Sequence, residues 1–564
     1  DAVEARQLAG GVVAVARERI NLPGERVLVL DGLPTPTDLP IESSDFSAQF
    51  LFWETARRVR GDDLISHQSS AAVTRICKLV GGMPLAIELA AAWTRLLTVE
   101  ELVDEIATNL IALETTTRGG EFRHHSLRAV FDQSWNLFSA QEKQVLMALS
   151  IFEAGFSRDA AHHIAHTSLP MLLTLSDKLL VRREANNRFS LHEMMRQYLA
   201  EKRDQAPDRA AIQTAFIHYY STYLQERESR LKSAAQIETL EEISREIENI
   251  HAAWALPAAN KDASALRGLL TGLAIYHDLK SNWAVGERLF EQAEAHLDHD
   301  PTALGLLLSY VALFNSRHDQ TEQMEYNAQR CLATLSANLP EHQPGIARAL
   351  VAHGYWHRLR GDYETAIQHF QQSLDIRMGL QDEWGCAECY LNLGSAYGRL
   401  NKDTDALQMA ERGLKISQKL GDRFQLARIQ LLLATLLERK GDLAEAEQLY
   451  RDALVVFEQI NSIEGRSIAF NGLGNVCFFR AHYPDAQQWY LEALAIYRQL
   501  GTREWEGGTL NNLGEVARAM GNLYPALEYF QQSQQVFRQL DHHEYVDLLQ
   551  REIDTTLEQI QNSK

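Results

Sequence analysis

From about residue 345 onward the chain repeats itself every 40 residues, and no other feature of its 564 residues restricts the fold as strongly. A small residue recurs at Gly354, Gly394, Ala434, Gly474 and Gly514, and twelve positions later alanine stands at Ala366, Ala406, Ala446, Ala486 and Ala526. An aromatic follows at Phe370, Tyr450, Tyr490 and Phe530, with Ala410 the exception. Turn formers separate the small positions: Gly361-Asp362-Tyr363, Asn401-Lys402-Asp403, Gly441-Asp442-Leu443, Ala481-His482-Tyr483 and Gly521-Asn522-Leu523. This spacing calls for two antiparallel helices per copy. Small residues let the helices approach, the aromatic fills the gap against the next copy, and each pair covers a face its neighbour leaves open. The expectation is a mainly α chain ending in an α-solenoid.

The pattern resembles the tetratricopeptide repeat in a longer form of about 40 residues. Five copies match it, and Trp283, Gly286 and Phe290 fall 80 residues before Tyr363, Ala366 and Phe370. With a degenerate copy near Leu307 to Leu335, about seven repeats fill residues 263–564. The Gly, Ala and aromatic positions are read as structural. In this repeat class the first helix of each pair lines the inner surface. The resemblance therefore assigns a ligand groove to Arg348, Tyr355, Arg358, Arg399, Arg428, Arg439, Asn471, Asn475, Phe478, Asn511 and Arg518, with Glu388, Glu438, Phe479 and Glu515 beside them. That surface is richer in arginine than in glutamate, whereas the whole chain has 55 basic against 75 acidic residues and a net charge of -20. Arginine and asparagine bind carboxylates and peptide groups, and aromatics add flat apolar area. A protein or peptide segment, or a small effector, is the expected ligand, and a solvated face without a ligand is the competing reading.

The acidic balance argues against non-specific attraction to nucleic acid or anionic lipid. Five scattered cysteines (Cys77, Cys331, Cys386, Cys389, Cys477) do not make a disulfide framework, and no apolar run is long enough to span a membrane. A cytoplasmic location without membrane attachment is expected. Cys386-Ala-Glu-Cys389 lacks a second pair and reads as helix packing, and His162, His163 and His166 lack a further ligand, so no metal site is expected there.

The first 45 residues read as two strands, "VVAVAR" and "VLVLDGL", around "ERINLPGE", the remnant of an α/β domain. Helical patterns follow over 46–112, including "LVGGMPLAIELAAAW". In that stretch Pro84 suits the first helical position and Gly81 and Gly82 permit a close turn. Leu85, Leu89 and Ala92 should bury one side of the helix while Ala86, Ala90 and Ala91 admit close neighbours on the other. Thr98 with Glu101, and Ser139 with Glu142, form capping boxes. Over 113–205, helices starting near Ser157 and Ser168 lead to two short strands around Asn186-Asn187 and a helix bearing His192, the order of a winged helix. The helix before that hairpin, "PMLLTLSDKLL", is apolar with one Lys178 and reads as buried, so direct nucleic-acid recognition is not expected. A helical connector over 206–262 precedes the repeats.

The order "ARERINLPGE", "GGMPLAIELAA", "SLRAVFDQSWNLFSAQEKQVLMALSIFEAGF", "LLTLSDKLLVRR", "RFSLHEMMRQYLAEK" resembles the later part of the STAND class of signal-transduction ATPases, relatives of the NB-ARC proteins. These pair a nucleotide-binding module with repeat sensors, and bacterial members place a connector like "FIHYYSTYL" to "IENIHAAWA" before the repeats. The resemblance implies nucleotide-contacting roles for three residues. Arg17 falls at the sensor arginine, behind Ala16 where the family has serine. Pro84 lies in a Gly82-Met83-Pro84-Leu85 form of the family's Gly-Leu-Pro-Leu turn. His192, in Leu191-His192-Glu193 where the family has Met-His-Asp, falls at the histidine that holds the β-phosphate of ADP. No G-x-x-x-x-G-K-[ST] loop occurs, so the chain is not expected to be an enzyme or to hold a cofactor alone. ADP or ATP with Mg would belong to a longer protein, whose regulatory and sensor portion this chain would be, with oligomerisation on activation as a further possibility of the class. The competing function is a constitutive repeat scaffold without nucleotide switching.

Overall fold

The computed structural model describes residues 4–8, 11–15, 32–35, 47–60, 70–94, 97–109, 127–178, 180–184, 186–260, 262–317, 321–540 and 542–562. They form two compact units that divide between Tyr219 and Tyr220.

The first unit opens on a hairpin in which β1 (Glu4–Leu8) pairs antiparallel with β2 (Gly11–Val15). This differs from the expected strand pair: "VVAVAR" falls largely on β2, but its partner is the preceding segment, and most of "VLVLDGL" lies outside the described residues. Helices α1 (Ser47–Arg60), α2 (Ser70–Leu79), α3 (Pro84–Trp93) and α4 (Val99–Asn109) enclose Phe52, Ile76, Ile87, Ala90 and Leu102. Alanines make this close approach possible: Ala86, Ala90 and Ala91 are all fully buried. The expected burial of Leu85, Leu89 and Ala92 lies outside the described side chains. Thr98 and Glu101 cap α4 reciprocally, the Thr98 amide donating to Glu101 at 2.8 Å and the Glu101 amide to the Thr98 hydroxyl at 3.2 Å.

Next come α5 (Leu127–Asn136), α6 (Ala140–Leu149), α7 (Arg158–Ala165) and α8 (Leu169–Asp177). Ser139, Ser157 and Ser168 each cap the following helix through the side-chain oxygen, and Ser139 completes its box with Glu142. Strands β3 (Val181–Arg183) and β4 (Phe189–Leu191) then pair antiparallel, with Asn187 in the left-handed region at φ 57°, before α9 (Glu193–Asp204). The apolar α8 is less enclosed than its composition suggests. Leu172 and Leu175 are buried, but Leu169 and Leu173 remain 38% and 52% exposed, because only one stripe of the helix meets neighbours. Helix α10 (Arg209–Leu231) carries the division between the units.

In the second unit α11 (Gln236–Asn260) precedes seven consecutive helix pairs among the described residues: α12 (Ala263–Leu279) with α13 (Trp283–Glu294), α14 (Pro301–Arg317) with α15 (Thr321–Thr334), α16 (Gln343–Leu359) with α17 (Tyr363–Gly379), α18 (Glu383–Arg399) with α19 (Asp403–Leu420), α20 (Arg423–Lys440) with α21 (Leu443–Ile460), α22 (Ile463–Phe479) with α23 (Tyr483–Leu500), and α24 (Arg503–Ala519) with α25 (Leu523–Gln539). A last helix, α26 (His543–Asn562), covers the end of the stack with Leu549 and Ile553.

The repeat positions act as the spacing requires. Ala366, Ala406, Ala446, Ala486 and Ala526 are fully buried, as are Phe370 and Phe530. A Cβ on Gly354, Gly474 or Gly514 would strike the ring of Phe370, Tyr490 or Phe530, so each small residue makes room for its own copy's aromatic. The turn between the helices of a pair passes through φ > 0 at Gly361, Asn401, Gly441, Ala481 and Gly521, the first residue of each turn triplet seen in the sequence. Contacts far apart in sequence also tie α11 and the α12–α13 turn to the later repeats. Gln236 donates to Asp422 at 2.9 Å and accepts from the Phe424 amide at 3.0 Å, and the Ser281 and Ser462 hydroxyls lie 3.2 Å apart. No helix of the described residues is long and apolar enough to cross a membrane.

Candidate functional site

Two constellations stand out, one in each unit. In the first, Gly81 and Gly82 lie at φ 60° and 67°, a region open to glycine and costly for other residues. Their amides close α2 by donating to the carbonyls of Lys78 at 3.0 Å and Cys77 at 2.9 Å. The Gly82 carbonyl accepts from the Leu33 amide at 2.7 Å, so the end of "VLVLDGL" lies against the turn, and a Cβ on Gly82 would come within 2.8 Å of the Leu33 nitrogen. From the other side comes His192: a Cβ on Gly81 would collide with its ring, reaching Cε1 at 2.9 Å.

His192 is also the N-cap of α9, its Nδ1 accepting from the Met194 amide at 3.3 Å. With Nδ1 accepting, the proton of the neutral ring sits on Nε2, the edge directed at Gly81. Burial lowers the His192 pKa, Arg182 adds to this and Glu193 opposes it, so the ring is neutral near pH 7. Met194, two residues on, is fully buried in the α1–α4 core and anchors this arrangement. The structure thus brings His192 to the glycine turn, while Pro84 starts α3 with its own side chain exposed. Arg17 lies outside the described residues.

The second constellation lies along the first helices of the repeats. The Tyr355 hydroxyl is its centre, donating to Asn392 Oδ1 at 2.8 Å and accepting from Arg317 and Arg428 at 3.4 Å each. Arg358 lies over the Tyr355 ring, and Arg348 lies over Tyr310 at 3.7 Å while donating to the Ser309 hydroxyl. Glu388 is buried and pairs with Arg377 at 3.0 Å. Burial alone would raise its pKa, but Arg377 first, then Arg428, Arg317 and Arg348, hold it below the ordinary carboxylate value. Arg317, also buried, pairs with Asp278 at 3.4 Å.

Further along, Arg439 donates to the Gly398 carbonyl at 2.6 Å and to Asp403, clamping its copy to the one before. Asn475 donates to Glu438 at 3.0 Å and accepts from Tyr490 at 2.8 Å, and Asn471 accepts from Thr509 at 3.2 Å. Phe478 packs against Phe479 and Tyr483, Arg518 pairs with Glu552, and the buried Oδ1 of Asn511 has no hydrogen bond among the described residues. Arg399 and Phe479 are exposed. They occupy the same register position, at the outer end of the first helix, that Arg439 occupies in the copy between them.

Most of the assigned groove arginines are therefore already engaged by acidic groups, aromatic rings or carbonyls of the solenoid. The carry-over of inner positions missed Arg317, Arg377 and Asp278. Arg317 and Asp278 belong to the weakly matched early copies, and Arg377 lies on a second helix. The cysteines fit the packing reading: Cys331 and Cys77 are buried with thiols pushed up to about 12, and Cys386 is pushed up to about 11. Burial is the main cause in each.

The architecture is that of a helical-repeat protein preceded by a helical unit that ends in a β-hairpin and a capped helix. Residues 345–419 and 425–499, which form the helix pairs from α16 to α23, match the family model for the tetratricopeptide repeat. Among curated proteins, one of Mycobacterium tuberculosis, provisionally named an HTH-type transcriptional regulator, is 26% identical over 483 residues, 80% of this chain and 52% of that protein. An uncharacterized protein of the same species is 30% identical over 214 residues, 36% of this chain and 52% of that protein. The chain spans about half the length of the curated relatives it matches. Among solved structures, a STAND protein with a tetratricopeptide-repeat sensor from Pyrococcus horikoshii is similar at a TM-score of 0.49 and 12% identity, covering 92% of this chain and 72% of that one.

Proposed function

We propose that this chain is the regulatory and sensor portion of a STAND-type signalling switch, in which the repeats receive a protein, peptide or small effector and control an ADP- or ATP-dependent module. The observation that carries this reading is the convergence of three segments distant in sequence: Gly32-Leu33, the Gly81-Gly82 turn and His192. The motifs quoted above assign two of these segments to nucleotide contact. A neutral His192 with its proton on Nε2 is a suitable donor to a phosphate oxygen, and the glycine backbone permits the close approach a diphosphate needs. Under this reading the chain does no chemistry itself, and ATP hydrolysis belongs to a P-loop module of the longer protein with Mg.

An effector acts by binding one state of the switch more tightly than the other, and about 3 kcal/mol of coupling shifts the balance roughly 150-fold. The decisive measurement is the ADP release rate of the intact protein. His192→Ala is expected to accelerate release, and so is saturation of the repeats with the effector. Unchanged release in both cases overturns the proposal.

A constitutive scaffold is the second reading, favoured by the internal pairing of Arg428, Arg439 and Arg518. It predicts partner capture that is indifferent to His192. On either reading the exposed Arg399 and Phe479 are the groove positions most open to a partner.

A further inference from the structure

Within the third helix pair, α16 and α17, lies a cluster that the repeat pattern does not require. His353, His357 and His369 occupy three register positions that are apolar in the four later copies. The first position is Leu393, Leu433, Leu473 and Leu513, the second Tyr397, Leu437, Cys477 and Ala517, and the third Met409, Leu449, Trp489 and Tyr529. The histidines stand at i and i+4 on one helix and on the facing helix, so the fold itself brings them together.

One nitrogen from each ring lies within 4.8 Å of the other two, and all three residues are half-buried. Neither nitrogen of His353 has a hydrogen-bond partner among the described residues, nor does Nδ1 of His369, although all three atoms are shielded from solvent. His357 is held from behind, its Nδ1 3.0 Å from Asp362, which also caps α17 by accepting from the Thr365 amide. That bond fixes the ring and leaves Nε2 for the cluster.

We propose that His353, His357 and His369 form a binding site for a divalent transition metal of the zinc class, with Asp362 as the positioning residue for His357. Three imidazoles without a carboxylate in the inner set suit Zn²⁺, Cu²⁺ or Ni²⁺ and not Mg²⁺ or Ca²⁺. Zinc–nitrogen bonds of about 2.0 Å place tetrahedral ligand atoms about 3.3 Å apart, so the rings need to close by roughly 1.5 Å, within the reach of side-chain rotation. Burial lowers the pKa of His353 and His369, the latter to about 4, which keeps both rings in the neutral form that binds metal. A four-coordinate ion would take its fourth ligand from outside these three side chains.

The test is titration of the metal-free full chain with Zn²⁺ alone by calorimetry, and with Co²⁺ by visible absorption. The expected result is one tight equivalent of Zn²⁺ and an intense Co²⁺ band of low coordination number. Both should be lost in His353→Leu and in His369→Leu, which carry residue types of the later copies, and retained in His162→Ala. Asp362→Asn, which keeps a capping side chain, should weaken Zn²⁺ roughly 10- to 100-fold. Absence of tight binding, or tight binding that survives both leucine variants, overturns the proposal. Should a leucine variant fail to fold, X-ray absorption of the Zn²⁺-loaded unaltered chain decides the matter: a first shell with three imidazole nitrogens supports the site and a first shell without them refutes it.

Discussion

The seam between α16 and α17 and the seam between α20 and α21 are built on one template and filled differently. Both bury a small residue on each helix and one aromatic, Gly354, Ala366 and Phe370 in the first and Ala434, Ala446 and Tyr450 in the second. The three neighbouring positions are half-buried in both, but they hold His353, His357 and His369 in one and Leu433, Leu437 and Leu449 in the other. The aromatic and its small partners are enough to set the helix pair. The half-buried flank is therefore free to carry chemistry in one copy and ordinary packing in the next.

The largest expected effect falls on what the seams share. Phe370→Ala and Tyr450→Ala should each destabilise the second unit by about 3–5 kcal/mol, read from urea unfolding. A much smaller loss in the histidine-bearing copy would show that its seam is held by something other than the shared template. Ala446→Leu should cost about 1–3 kcal/mol by overpacking, since this alanine is fully buried.

Acid offers the next contrast, between both seams and the α11–α12 contact, where His251 and His277 stack with Nε2 atoms 3.2 Å apart. Burial, with His251 second, pushes His277 down to about 3. The unfolded chain therefore binds a proton that the folded chain refuses, and stability is lost as pH falls below about 6.5. From pH 7 to pH 5 the loss from this residue is about 2 kcal/mol. His277→Leu should remove this residue's share of the slope from the pH dependence of the urea midpoint and leave the share of His369, which burial holds down to about 4; an unchanged slope would show that His277 is not a source of the acid sensitivity.

Replacing all three seam histidines by leucine in metal-free buffer should raise stability by about 1 kcal/mol, because shielded nitrogens without partners are removed. A fall would mean that the histidines pack better than leucines. At the small end, Arg439→Ala should cost about 1 kcal/mol through its lost bonds to Gly398 and Asp403. Arg399→Ala should shift stability by under about 0.5 kcal/mol while still weakening partner capture.

Features decided within a few residues were open to reading in the sequence. The capping boxes at Thr98 and Ser139, the caps at Ser157 and Ser168, the Asn187 turn and the start of α3 at Pro84 all follow from side-chain reach and φ preference. The register of the solenoid followed from its period. What escaped was pairing across distance. The strand β2 was seen but its partner β1 was not, because a short strand does not name its neighbour. Helix α8 is mostly apolar, so its composition did not reveal that Leu169 and Leu173 stay exposed. The arginines of the first helices were named as groove residues, but their commitment to Asp403, Glu552 and the Tyr355 hydroxyl was not foreseen.

By itself, then, the sequence determined the number and spacing of the helix pairs and the residues that space them, and it named His192, Pro84 and the arginines of the first helices as candidates. Period and capping are local physics, written in residues a few positions apart. Only the tertiary structure decided that His192 lies against Gly81, that Arg317 on α14 shares the Tyr355 hydroxyl with Arg428 on α20, and that three histidines meet across one seam. Those contacts depend on the angle at which helices pack and on which face each presents. Both are settled by the collective fit of side chains over the whole unit.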